Sequence, residues 1–125
     1  MDGERRPGLE AATLRLRGRR GPLVCRIYWP SPGRARRLVV SFRTDREIRE
    51  LCRSTGRLVV TTASGSTVSP DDAWDVLCWV GEHAVELGAQ SEAVLLDGGG
   101  VSAELVESLR ARADAEGWPP LEGSA

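Results

Sequence analysis

The chain has 125 residues, enough for one domain that buries about two-thirds of its unfolded surface, and its 41% apolar and 28% charged content excludes a disordered polar segment. Net charge is only −1, but all seventeen basic residues are arginine, fifteen of them against six acids in residues 1–57 (+9) and two against twelve acids in residues 58–125 (−10). Three widely spaced cysteines and a single histidine match no metal or redox spacing, so composition implies neither a metal nor a cofactor.

Residues 1–10 read as a polar leader with no apolar segment behind them, so neither a signal peptide nor a membrane span is indicated and a cytoplasmic location is expected. The basic N-terminal half is read as solvated faces balanced within one molecule, with no nucleic-acid and no membrane partner. Thr13–Arg17 and Leu23–Trp29 alternate with period two, the second placing Leu23, Cys25, Ile27 and Trp29 on one face and Val24, Arg26 and Tyr28 on the other. Gly18-Arg19-Arg20-Gly21-Pro22 joins them into an antiparallel hairpin, and Pro30-Ser31-Pro32-Gly33 breaks the chain.

The rhythm then changes to strand and helix in turn. Leu38–Phe42 reads as a buried strand, and Thr44-Asp45-Arg46-Glu47 as a capping box opening a helix whose apolar face is Ile48, Leu51 and Cys52 and whose end is Gly56. Leu58–Ala63 is a second buried strand. Ser69, Pro70, Asp71 and Asp72 mark the strongest helix start in the chain, running to Leu87 before Gly88, with Ala73, Leu77, Val80, Ala84 and Leu87 facing inward. Ala93–Asp97 is an apolar strand, Gly98-Gly99-Gly100 a sharp turn, and Val101–Glu116 a helix with Leu105, Leu109 and Ala113 inward, closed by Gly117 and Pro119-Pro120. The order implies an α/β three-layer sandwich: a mostly parallel five-stranded sheet with an N-terminal antiparallel hairpin, one domain over residues 11–121 and a tail over 122–125. The cysteines are expected to act as small buried or half-buried hydrophobes.

Several stretches together resemble the N-terminal half of an α/β-hydrolase, in the hormone-sensitive-lipase-like esterase branch, over residues 12–121. Val24-Cys25-Arg26-Ile27-Tyr28-Trp29-Pro30 is similar to that family's second strand and Leu38–Phe42 to its third. Asp75–Ala89 is similar to the helix before the nucleophile strand, and Leu109–Leu121 to the end of the helix after the elbow. The resemblance implies the strand order 1-2-4-3-5, with strand 93–97 left as an edge of bare amides and carbonyls where the sixth strand would begin.

It also implies a catalytic machinery that this sequence lacks. The family's third strand leads to a His-Gly-Gly-Gly oxyanion loop, whereas Phe42 runs straight into Arg43-Thr44-Asp45. The family's elbow reads Gly-Asp-Ser-Ala-Gly-Gly against Leu96-Asp97-Gly98-Gly99-Gly100-Val101 here, so Gly98 occupies the nucleophile position. The family's acid and histidine lie beyond Leu121. Ser102 is the one substitute hydroxyl, placed one turn into the helix with no base beside it.

The resulting expectation is a non-catalytic protein of hydrolase-like fold, acting through a homodimer or another protein partner at strand 93–97 and helix 101–116, or else a relic. Two alternatives stand beside it: a carboxylic-ester hydrolase, alone or completed by a partner chain, and a binder of an anion or acyl ligand at Gly98, Gly99 and Gly100 without turnover.

Overall fold

A computed structural model of the protein describes residues 10–18, 21–30 and 36–121; the leader over 1–9, the hairpin turn at 19–20, the break at 31–35 and the tail over 122–125 lie outside the described residues. The hairpin forms from β1 (Glu10–Gly18) and β2 (Gly21–Trp29), in register from Glu10 opposite Trp29 to Gly18 opposite Gly21. Alternation decides its faces. Leu23, Cys25 and Ile27 are buried in the larger core with Leu14 and Leu16 packed against them, while Thr13, Arg15 and Arg17 stay exposed. Tyr28 points the other way and is buried too, its hydroxyl donating to the Asp45 carboxylate.

Then follow β3 (Arg36–Ser41), α1 (Asp45–Thr55), β4 (Leu58–Thr62), α2 (Pro70–Leu87), β5 (Ala89–Asp97) and α3 (Ala103–Glu116). The five-stranded sheet has the order β1-β2-β4-β3-β5, as the resemblance implied. β2 is antiparallel to β1 and β4, and β3 is parallel to β4 and β5, so β2 alone runs against the other four strands. The sheet is therefore mixed. Helix α1 closes on one face over Tyr28, Val39 and Val59 through Ile48 and Cys52, and α2 and α3 supply buried residues to the core on the other.

Local chemistry sets the helix ends. Thr44 Oγ1 accepts from Glu47 N at 3.2 Å and Glu47 Oε1 accepts from Thr44 N at 3.1 Å, the reciprocal capping box. Ser69 Oγ accepts from Asp72 N at 3.1 Å, and Trp29 Nε1 donates to the Leu87 carbonyl at 2.8 Å, satisfying one of the orphan acceptors at the end of α2. Gly81 sits where the chain after α3 folds back onto α2. A Cβ there would lie 2.7 Å from Pro119 Cβ, closer than real Cβ atoms come, and 3.2 Å from Trp118 Cζ2.

Several boundaries differ from the sequence reading: both hairpin strands are longer, β3 covers Arg36–Ser41 rather than 38–42, and β4 ends at Thr62 rather than Ala63. β5 begins at Ala89 rather than Ala93, because a register shift between the pairs Arg36–Ala89 and Leu38–Val94 absorbs the intervening polar run. α3 begins at Ala103, because Ser102 is its cap and not its second residue. Glu10, assigned to the leader, is the first residue of β1. Cys25 and Cys52 are buried and Cys78 is half-buried, none of the three in a disulfide; burial, with the charge of Asp72 adding to it, pushes the Cys25 thiol up to about 11. Among the described residues no helix is long and apolar enough to cross a membrane.

Candidate functional site

β3 and β5 end side by side, with Ser41 paired to Asp97, and their chains leave in opposite directions, one into α1 and the other toward α3. A crevice at the carboxyl ends of two such diverging strands is where open α/β sheets place ligands. Here it holds the Asp97 carboxylate and four donors. Oδ2 accepts from Ser41 Oγ at 2.8 Å and Arg43 Nε at 2.7 Å; Oδ1 accepts from Gly99 N at 3.1 Å and Arg43 Nη2 at 3.3 Å. Burial pushes this carboxyl up, but the hydrogen bonds from Arg43, Gly99 and Ser41 and the arginine charge outweigh it, so its pKa falls below the usual value. The same bond raises the pKa of Arg43.

The turn itself is shaped around that arginine. A Cβ on Gly99 would lie 2.1 Å from both Arg43 Cζ and Nη2, so the guanidinium fills the space a side chain would need. Gly100 is left-handed, with φ of 87°, and its Cβ would lie 3.0 Å from the Phe42 carbonyl oxygen; only glycine meets both conditions. Gly98, at the nucleophile position, is the least constrained of the three. Its φ is not positive, and a Cβ would meet only Val106 Cγ2, at 3.3 Å. A side chain at the apex needs Val106 to shift by only a few tenths of an ångström, and none is there.

Ser102 stands at the N-cap of α3, with its Oγ accepting from Leu105 N at 3.1 Å. The expected position one turn into the helix is corrected to a capping position, and the hydroxyl already has a structural task. His83, the single histidine, lies on α2, where Nδ1–H donates to the Trp79 carbonyl at 2.8 Å and the ring stacks on Trp79 at 4.3 Å between centroids. It takes no part in the contacts around Asp97. Asp71 and Asp72 lie in the first turn of α2, as expected of residues that complement a helix dipole. Among the described residues no group of three or more histidine, cysteine or acidic side chains is placed to hold a metal ion.

Chemically, a carboxylate held ionised by four donors is a poor proton donor near neutrality, and its lone pairs are occupied. Gly98 places no side-chain oxygen at the apex, and the Ser41 hydroxyl in the crevice donates to Asp97. Sequence reading picked out Asp97 and the three glycines but missed Ser41 and Arg43. The signal was present, since the implied strand order puts the ends of the third and fifth strands next to each other.

Beside the turn, a groove of about 740 Å³ runs from Leu51 and Arg57 across Leu95 to Val101, Val106 and Arg110. The outer edge of β5 is not bare throughout, contrary to expectation: Val94 N donates to the Pro120 carbonyl at 2.9 Å and Val94 forms a parallel bridge with Leu121.

The mixed five-stranded sheet and its helices match part of an α/β-hydrolase fold. An esterase from the hyperthermophilic archaeon Pyrobaculum calidifontis superposes with a TM-score of 0.71 at 23% identity, covering 88% of this chain and 42% of that one. EstE1, a thermostable carboxylesterase cloned from a metagenomic library, gives 0.70 at 21% identity, over 90% and 44% of the two chains. Carboxyl esterase 2 of the mycorrhizal fungus Tuber melanosporum gives 0.70 at 18% identity, over 94% and 45%. The chain thus spans under half the length of the esterases it resembles, and at these identities the likeness is one of fold. No family model and no curated protein matches the chain.

Proposed function

We propose that this chain is a non-catalytic, cytoplasmic protein of α/β-hydrolase fold that acts through a protein interface around β5 and α3. The observation that carries the reading is the state of the crevice. The nucleophile position is Gly98, and Arg43 fills the space over Gly99 while holding Asp97 in an ion pair. Hydrolysis at an elbow needs an oxygen at the apex, a base to activate it and donors aimed at the developing oxyanion. Gly98 supplies no oxygen, and β3 passes into α1 through Phe42, Arg43 and Thr44 alone, with no loop for the oxyanion donors.

The alternative of a carboxylic-ester hydrolase, alone or completed by a partner chain, draws on the esterases that share the fold. Completion would supply a base and an acid, yet Gly98 would still supply no oxygen. An anion or acyl ligand held at Gly98, Gly99 and Gly100 is a third reading. It has to contend with the Gly99 amide already bonded to Asp97 and with the negative charge of that carboxylate.

Short-chain p-nitrophenyl esters test the reading with three proteins: wild type, Gly98→Ser and Ser102→Ala. All three are expected to match the uncatalysed rate, Gly98→Ser included, because a restored hydroxyl would face no base. Turnover by wild type that disappears in Ser102→Ala would overturn it.

A further inference from the structure

The groove between α1 and α3 carries information about what occupies it. Its floor is apolar but incompletely covered: Leu51, Leu95, Val101 and Val106 are all half-buried, each packed against one of the two cores without being closed over. Its rim is charged with both signs. Glu107 and Arg110, one turn apart on α3, both line it, and neither has an ion-pair partner among the described residues. An apolar centre inside a polar rim is the anatomy of a protein interface. A rim holding an acid and a base one turn apart on one helix is, in addition, complementary to itself. Two such helices meeting antiparallel across a two-fold axis set Glu107 of each copy against Arg110 of the other.

We infer that the occupant of this groove is a second copy of the same chain, docked isologously so that α3 lies against α3 and Leu95 and Val106 are covered at the centre. The inference rests on the proposed non-catalytic reading and names its partner. The geometry also limits what part β5 plays. Val94 already bonds to Pro120, so the contact is made mainly by side chains of the groove and only in its upper part by the strand edge. The acidic outer surface of α2, where Glu82 and Glu86 are exposed, takes no part.

Sedimentation equilibrium of the full chain, with single charge reversals and their combination, decides it. Wild type is expected to dimerise at micromolar concentration. Glu107→Arg or Arg110→Glu, each creating two like-charge contacts per dimer, should raise the dissociation constant about tenfold or more. The double variant Glu107→Arg/Arg110→Glu exchanges the two signs and should restore association to within about threefold, the rim pairs being formed again in reverse. Both positions are at least partly solvent-exposed, and unchanged circular dichroism and melting would certify the fold of each variant.

A wild type that stays monomeric to about 100 μM would overturn the inference, since the groove would then have no second copy to cover it. So would a dimer indifferent to the single reversals, one not restored by the exchange, or one broken by Glu82→Arg/Glu86→Arg on α2. These outcomes are separate from failure of the non-catalytic reading, which only ester turnover would signal: a monomeric, inactive chain loses the dimer and keeps the reading.

Discussion

On one face of the sheet, α2 and α3 close over a cluster in which Leu38, Val40, Leu58, Val60 and Val94 are wholly buried. On the other, α1 covers Tyr28, Val39 and Val59 and leaves Leu51 and Leu95 half-buried. The two faces are built from the same kind of strand, so residue type does not separate them. What separates them is the number of helices available: two on the first face, one short helix on the second. Stability is therefore concentrated on one side of the sheet and exposed apolar surface on the other, and consecutive residues of β5 sample both.

Leu96 and Leu95 make the sharpest contrast, and the largest effect. Leu96 is 2% exposed and belongs to the larger core, so Leu96→Ala should cost about 3 kcal/mol in urea denaturation, the loss of transfer energy plus a cavity. Leu95→Ala, from the groove, should cost about 1 kcal/mol in the monomer, because part of the side chain is already in water. Equal costs at the two positions would mean that both faces are equally closed, and the comparison would fail.

A smaller effect probes the crevice where the faces meet. Asp97→Asn keeps the shape of the side chain and removes its charge, leaving Arg43 without an anionic partner. With the Arg43 side chain 37% exposed and that of Asp97 19%, solvent screens part of the pair, and a loss of about 1–2 kcal/mol at pH 7 is expected. The folded-state pKa of Asp97 is depressed, so its stabilisation is complete above the ordinary carboxylate value of 3.8 and is lost as pH falls through the lower, folded value. The stability difference between wild type and Asp97→Asn should accordingly persist from pH 7 to about 5 and shrink below pH 4. A difference that stays constant down to pH 2 would show that Asp97 acts through shape and not through charge.

How much of this was legible in the sequence follows the range of the interactions. Local devices were readable: Thr44 to Glu47 is a complete capping box, Ser69-Pro70 a helix start, and Leu23 to Ile27 an alternation that burial respects. Ser102 escaped because its box is incomplete. The residue three positions on is Leu105, which cannot reach back to the cap as a glutamate would. The start of β5 escaped because a register shift accommodates polar residues that break the apolar run. Ser41 and Arg43 lie fifty-six and fifty-four residues from their partner Asp97, and no local pattern records such a pairing. The strand order supplied by the resemblance was the one route to it, and it also gave the fold.

The proposed non-catalytic role requires that no serine of the chain be activated for attack. Incubation with a fluorophosphonate, which marks activated serines irrespective of the natural substrate, followed by intact-mass measurement, tests it most directly. An unmodified chain is expected after the time in which a working serine esterase is fully labelled. A stoichiometric adduct mapping to Ser102 would contradict it.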